Sequence, residues 1–136
     1  MKLPFAMIAA LYGAVGVALG AFGAHALRER LPPADLAIFE TAVRYQFYHV
    51  FALLAAQALI VLAGPNDVSA MQTARQAAWA FVVGMTIFSG SLYLLVGTGV
   101  RKLGMVTPIG GVLLILGWVL LAVAARKVTR GPWFHL

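Results

Sequence analysis

Charged residues divide this 136-residue chain into four long apolar runs. The first extends from Leu3 to about Ala26, with no charge between Lys2 and Arg28. The second covers about Tyr45 to Ala63 and stops at Gly64-Pro65-Asn66-Asp67. The third covers about Ala77 to Val96, ending at Gly97-Thr98-Gly99 and then Arg101-Lys102. The fourth covers about Met105 to Ala125 and is closed by Arg126-Lys127. A helix that crosses a bilayer needs about 20 apolar residues, and each run is of that order. The connections after the second and third runs are short, so neighbouring helices must run antiparallel. The pattern predicts an all-α fold: an integral membrane four-helix bundle forming a single membrane domain over residues 1–136, with spans near 3–26, 45–63, 77–96 and 105–125.

The connection between the first two runs is longer. After Leu31-Pro32-Pro33, residues Leu36, Phe39, Val43 and Phe47 recur at helical spacing. Pro33 suits a first helical position, and Glu40 and Arg44 form an i,i+4 pair on another side. We expect a short amphipathic helix at the interface that runs into the second span. A plain extension of that span into water fits the same spacing. Lys2, the first run and Ala24-His25-Ala26 also resemble a secretory signal with an A-x-A site. The run exceeds the signal core of about 7–15 residues, which favours a retained span.

Composition strengthens the membrane reading. Hydrophobic residues make up 62% and charged residues 10%, against about 45–50% and about 25% in soluble domains. Such a chain cannot cover a core with polar surface. The net charge of +6 resides in bases beside apolar runs, where they meet lipid phosphates. There is no basic stripe with interleaved aromatics, so no nucleic-acid partner is expected. The absence of cysteine removes disulfides, thiolate nucleophiles and thiolate metal ligands. An even number of spans puts both termini on one side. Lys2, Arg75, Arg126, Lys127 and Arg130 lie there, and Arg28, Arg30, Arg44, Arg101 and Lys102 lie opposite. The positive-inside rule is therefore tied. Helix 1 alone favours a cytoplasmic first connection and helix 4 alone a cytoplasmic C-terminus. We expect a bacterial inner membrane with cytoplasmic termini.

Gly13, Gly16, Gly20 and Gly23 lie on one face of the first helix, and Gly16 and Gly20 make a GxxxG match. In lipid, glycine allows the close backbone contact that apolar burial does not supply. Gly110, Gly111 and Gly117 suggest a second such contact in the fourth helix. Tyr12, Trp79, Trp118 and Trp133-Phe134-His135 read as interface anchors or packing groups.

Polar groups in hydrocarbon need partners, so those that remain are informative. His25 ends span 1; Tyr45, Gln46, Tyr48 and His49 begin span 2; Ser89, Ser91 and Tyr93 lie late in span 3; Thr107 begins span 4. Antiparallel threading puts all of them in the half of the membrane opposite the termini. On these span limits, His49 lies roughly 6 Å inside the boundary and Ser89 roughly 10 Å. Thr41, Tyr45 and His49 share a stripe, while Gln46 points elsewhere. The opposite half is barer, with Gln57 its clearest exception.

The runs Leu19-Gly-Ala-Phe-Gly-Ala-His25, Thr41-Ala-Val-Arg-Tyr-Gln-Phe-Tyr-His49, Phe88-Ser-Gly-Ser-Leu-Tyr93 and Thr107-Pro-Ile-Gly-Gly111, then Gly117-Trp118, resemble the YgdD-like family of small membrane proteins (domain of unknown function 423). The resemblance covers nearly the whole chain. It implies a four-span bundle in an inner or mitochondrial-type membrane, and it implies no reaction or catalytic residue.

Several chemistries can be written on these residues. His25, His49 and Glu40 could hold a metal, yet no spacing fixes two ligands on one helical face. Haem held by His25 and His49 lacks any mark of a porphyrin pocket. Ser89 or Ser91 with His49 lacks an orienting third group. A transporter or channel would bury charge near the midplane, and none of Glu29, Asp35, Glu40 and Asp67 falls within a span, which leaves an oligomeric pore. By elimination we expect a binding or interaction module. Its polar pocket would be lined by His25, Tyr45, His49, Ser89, Ser91, Tyr93 and Thr107. No cofactor is expected beyond a bound lipid, and the partners expected are membrane lipid and a homo-oligomer or larger membrane complex. A network that merely joins helices explains the same residues.

Overall fold

The computed structural model describes residues 4–130, so Lys2 and Trp133-Phe134-His135 lie outside the described residues. Four helices account for most of them: α1 (Phe5–Phe22), α2 (Pro33–Ala63), α3 (Val68–Thr98) and α4 (Thr107–Thr129). A π-helical turn, Gly23–Leu27, continues α1, and short 3-10 turns cover Gly64–Asn66 and Arg101–Met105. All four helices are long and apolar enough to cross a membrane. There is no strand among the described residues.

The helix ends follow from local sequence. Pro33 opens α2, where a missing N–H costs nothing. The Asp67 carboxylate caps α3 by accepting the Ala70 N–H at 2.8 Å. Gly99, with φ 72°, closes α3 in the left-handed conformation and donates its N–H to the Leu95 carbonyl. The first N–H of α1 is met from another helix: Phe5 N–H donates to Gln57 Oε1 at 3.1 Å. This accounts for Gln57, the polar exception in the otherwise bare half.

α2 and α3 form the central antiparallel pair. Gly84, Phe88 and Ser91 on α3 meet α4. Thr86, Gly90 and Tyr93, on the other side of α3, line a groove shared with α1. The outer helices therefore lie on opposite faces of the pair, and α1 leans mainly on α2. Between them the core is small-residue packing: Ala42, Ala56, Ala74, Ala77 and Ala78 are fully buried, with Leu53, Phe81 and Met85 as the largest enclosed side chains.

The amphipathic segment expected to run into the second span is the beginning of α2, which is unbroken from Pro33 through Ala63. Its apolar residues pack on the bundle: Phe39 is buried beneath Gly23 and beside Tyr93. The Glu40–Arg44 pair does not close into a salt bridge. The ion pair among the described residues is Arg101–Asp35, at 2.6 Å, which ties the 3–4 connection to the start of α2.

α2 begins at Pro33, well before Tyr45. His49 lies near the middle of α2, and its partner Trp118 is at the middle of α4, which puts His49 at mid-height in the bundle.

Glycine sets the helix seams unevenly. A Cβ on Gly16 would come within 2.8 Å of the Phe47 ring and one on Gly23 within 2.8 Å of Phe39, whereas Gly13 and Gly20 have ordinary clearances of 3.8 and 3.5 Å. The α1 glycine face therefore meets α2 of the same chain. On α4, a Cβ at Gly110 would lie 2.5 Å from the Phe88 amide nitrogen and 2.9 Å from the Gly84 carbonyl. At Gly111 the nearest atoms are 3.8 Å away. Gly110→Ala should force the α3 and α4 backbones apart, costing about 1–3 kcal/mol and lowering the thermal unfolding temperature in detergent. Gly111→Ala should leave that temperature unchanged.

Candidate functional site: two grooves flanking the α2–α3 pair

The polar residues singled out in the sequence are not gathered in one pocket. On the α1 side, Gln46 is the hub. Its Nε2 donates to the Tyr12 carbonyl at 2.7 Å, and its Oε1 accepts the Tyr93 hydroxyl at 2.8 Å. One amide thereby joins all three of α1, α2 and α3. Close approach at Gly16 makes this reach feasible, since a Cβ there would sit 3.2 Å from Gln46 Nε2. The Thr86 hydroxyl donates to the Val82 carbonyl at 2.6 Å, so the Tyr12 hydroxyl is the donor in the Tyr12–Thr86 bond. Ser89 donates to the Ala42 carbonyl at 2.8 Å, pinning α3 to α2. These residues, with Leu11, Val15 and Met85, line a groove of about 280 Å³ between α1 and α3.

On the other side, His49 joins α2 to α4. Trp118 Nε1–H can only donate, so His49 Nε2 accepts it, at 3.2 Å. The proton of the neutral imidazole is then on Nδ1, which donates to the Tyr45 carbonyl at 2.6 Å. Both ring nitrogens are occupied. Aromatic rings surround the pair: Phe81 meets Trp118 edge-on at 5.4 Å, and Tyr45 stacks on Phe88 at 4.7 Å. Tyr45, Tyr48, His49, Phe51, Phe88, Gly111, Ile115 and Trp118 are among the walls of a groove of about 680 Å³ between α2 and α4. Tyr45 and Tyr48 stay 39% and 52% exposed at its rim.

The remaining candidates sit elsewhere. Ser91 donates to the Phe88 carbonyl and accepts the Thr107 hydroxyl at 2.7 Å, so both belong to the α3–α4 seam. His25 is exposed in the π-helical turn after α1. Glu40 is exposed and lines an α1–α2 groove with Arg44. His25, His49 and Glu40 are thus dispersed, and no three metal-ligating side chains cluster among the described residues. Neither serine bonds to His49, so the nucleophile–base pairing written from the sequence does not form.

Sequence reasoning missed the central place of Gln46 because it lies off the Thr41–Tyr45–His49 stripe. A buried amide on a different helical face was the available signal. Trp118 was read as an anchor, since an indole alone does not reveal its acceptor. At the far end of the bundle, Lys127 donates to the Ser69 and Thr73 hydroxyls, each at 2.9 Å, and holds the end of α4 to the start of α3.

If Gln46 is the α1 tether, Gln46→Leu and Tyr93→Phe should each destabilise the bundle. A double-mutant cycle read by thermal unfolding should give a coupling of about 0.6 kcal/mol, the scale of interhelical hydrogen bonds in lipid. Additive effects would mean that the two side chains do not share a bond.

A family model described as "Protein of unknown function (DUF423)" matches residues 19–111. A UPF0382 membrane protein of Staphylococcus aureus is 42% identical over 127 residues, covering 93% of this chain and 98% of the relative. One from Staphylococcus saprophyticus is 38% identical, covering 91% and 98%. A third, from Bacillus subtilis, is 37% identical, covering 90% and 96%. No solved structure matches the chain. The match spans Gln46, His49, Ser89, Tyr93 and the first glycines of α4, and with its four apolar helices the chain is an integral membrane protein that belongs to the DUF423 family.

Proposed function

We propose that this protein is a lipid-binding module of the membrane, in which the groove between α2 and α4 holds the hydrocarbon portion of a lipid or similarly hydrophobic molecule. The observation that carries this reading is the groove itself, about 680 Å³ with mostly aromatic walls. Its polar interior atoms are already used, since His49 is bonded on both nitrogens. Such walls offer a chain dispersion contacts without an unpaired donor. Tyr45 and Tyr48 stay exposed at the rim and add their ring faces to the same walls. The α1–α3 groove supports the reading less well: it is smaller, and Gln46 and Ser89 on its floor are committed to helix contacts.

Gly111 provides the test. It lines the groove, and a Cβ there would meet only the Phe88 ring, at 3.8 Å. Gly111→Leu should fold normally and fill the groove. Native mass spectrometry from mild detergent should find a retained lipid on the wild-type protein and none on the variant. Equal retention by both would remove the groove as the binding site.

The same reading puts the protein in the bacterial inner membrane with both termini cytoplasmic. Its support is the bacterial source of the relatives and the basic pair Arg126-Lys127 at the end of α4. A C-terminal fluorescent-protein fusion should glow and a C-terminal alkaline-phosphatase fusion should be inactive. The reverse pattern would invert the orientation.

A further inference from the structure

Glu40 and Arg44 are opposite charges one turn apart on α2, in the order that favours an i,i+4 pair. Neither is in an ion pair among the described residues. Both are exposed, and both line a groove of about 280 Å³ between α1 and α2. Its other wall is the end of α1 and the π-helical turn, through Gly20, Gly23 and Ala24. Turns of that kind inside a helix are frequent at functional sites. Packing requires Gly23, where a Cβ would come within 2.8 Å of Phe39, but a Cβ on Gly20 would only touch Val43, at 3.5 Å. The side chain missing at Gly20 therefore leaves room in the groove rather than closing a helix contact.

Along α2, Glu40 lies about 13 Å and Arg44 about 7 Å from the level of His49. A hydrocarbon core about 30 Å thick centred on that level ends about 15 Å away. Glu40 is thus at the boundary, and Arg44 extends its guanidinium outwards into the same zone. The deeper charge is positive and the outer one negative. A phospholipid head that ends in a primary amine carries the complementary charges in the same order, with its phosphate next to the glycerol and its ammonium two carbons further out. We propose that the groove between α1 and α2 binds the head of such an aminophospholipid. The Arg44 guanidinium donates to the phosphate oxygens, which its fork fits, and the Glu40 carboxylate accepts from the ammonium. A choline head has no N–H to give, and its trimethylammonium calls for a cage of aromatic rings, where this groove has Phe39 alone. An anionic head without an amine would satisfy Arg44 and be repelled by Glu40. The site is separate from the α2–α4 groove and does not depend on that groove's occupant.

A site open to the bilayer exchanges its lipid, so titration reads it better than retention does. Short-chain phosphatidylethanolamine, phosphatidylcholine or phosphatidylglycerol, with identical chains, is added to the full-length protein in detergent. The half-saturating concentration is read from the rise in thermal unfolding temperature. Each variant is compared with itself across the lipids, so a change in its own stability does not enter the ratio. Wild type should favour phosphatidylethanolamine over phosphatidylcholine by about fivefold, the upper end of what one exposed ion pair supplies. Glu40→Gln should bring that ratio near one and improve phosphatidylglycerol relative to both. Arg44→Gln should weaken phosphatidylethanolamine and phosphatidylcholine alike, since the phosphate is common to them. Gly20→Leu, which fills the groove, should abolish the preference. Glu29→Gln removes an acid at the same end of the bundle but outside the groove, and should leave the preference intact. Gly111→Leu should also keep it, which separates this site from the larger groove. The proposal is overturned if wild type shows no preference, if Glu40→Gln or Gly20→Leu keeps it, or if Glu29→Gln or Gly111→Leu removes it.

Discussion

The close approach of α3 and α4 is the contact on which the rest of the arrangement depends. In lipid, helices gain little by hiding apolar side chains, so backbone proximity must supply the packing. Gly110 lies on the Phe88 amide and the Gly84 carbonyl, and Gly117 on the Phe81 ring, whose Cε1 is 2.7 Å from where a Cβ would stand. This seam brings Ser91 to Thr107 and holds Trp118 edge-on against Phe81. Trp118 then reaches across to His49, giving α4 a polar tie to α2. Where that tie crosses, the two helices stay apart enough to leave the larger groove. Moving α4 outwards by one methyl at Gly110 would disturb each of these contacts in turn.

α1 is held by a different device. It rests on α2 at Gly16 and Gly23, and its polar link to α3 runs through Gln46 and the Tyr12–Thr86 bond. Gln46 is also the side chain whose loss would leave the most stranded: the Tyr93 hydroxyl would lose its acceptor. A helix carbonyl such as that of Tyr12 already serves its own helix, so the Gln46 bond to it is a second, interhelical use of the same oxygen. The cost of breaking the link is therefore centred on Tyr93.

Much of this was legible in the sequence. Four spans, their antiparallel order and a glycine face on α1 follow from run lengths and spacing. The sequence does not contain the register of one helix against another, and most of the differences come from there. Glycine spacing marks a face, but only contact with Phe47 and Phe39 makes Gly16 and Gly23 tight while Gly13 and Gly20 have room. Gly84, six residues from the next glycine in α3, marked no face in the pattern and becomes visible only when Leu114 is seen against it. Charges do not mark where α2 starts, because Glu40 and Arg44 are part of one continuous helix. A shared membrane half was mistaken for a shared site: Gln46 and His49 are three residues apart, yet they face opposite outer helices.

That division bears on function. The buried polar side chains, Gln46, His49, Thr73, Ser89 and Ser91, all have protein partners, and no buried side-chain polar atom among the described residues is left unpaired. In a medium without water, such atoms are structural bonds first. Recognition of another molecule must then use groups that the bundle has not already consumed. Such groups include Glu40, Arg44, Tyr45 and Tyr48 on α2 and His25 after α1, all exposed in the half of the bundle away from the termini. The interior network fixes the walls of the grooves and leaves the exposed side chains as the ones free to bind a further group. A molecule lying in the larger groove would meet the exposed rings of Tyr45, Tyr48, Phe51 and Trp118 before any buried polar atom.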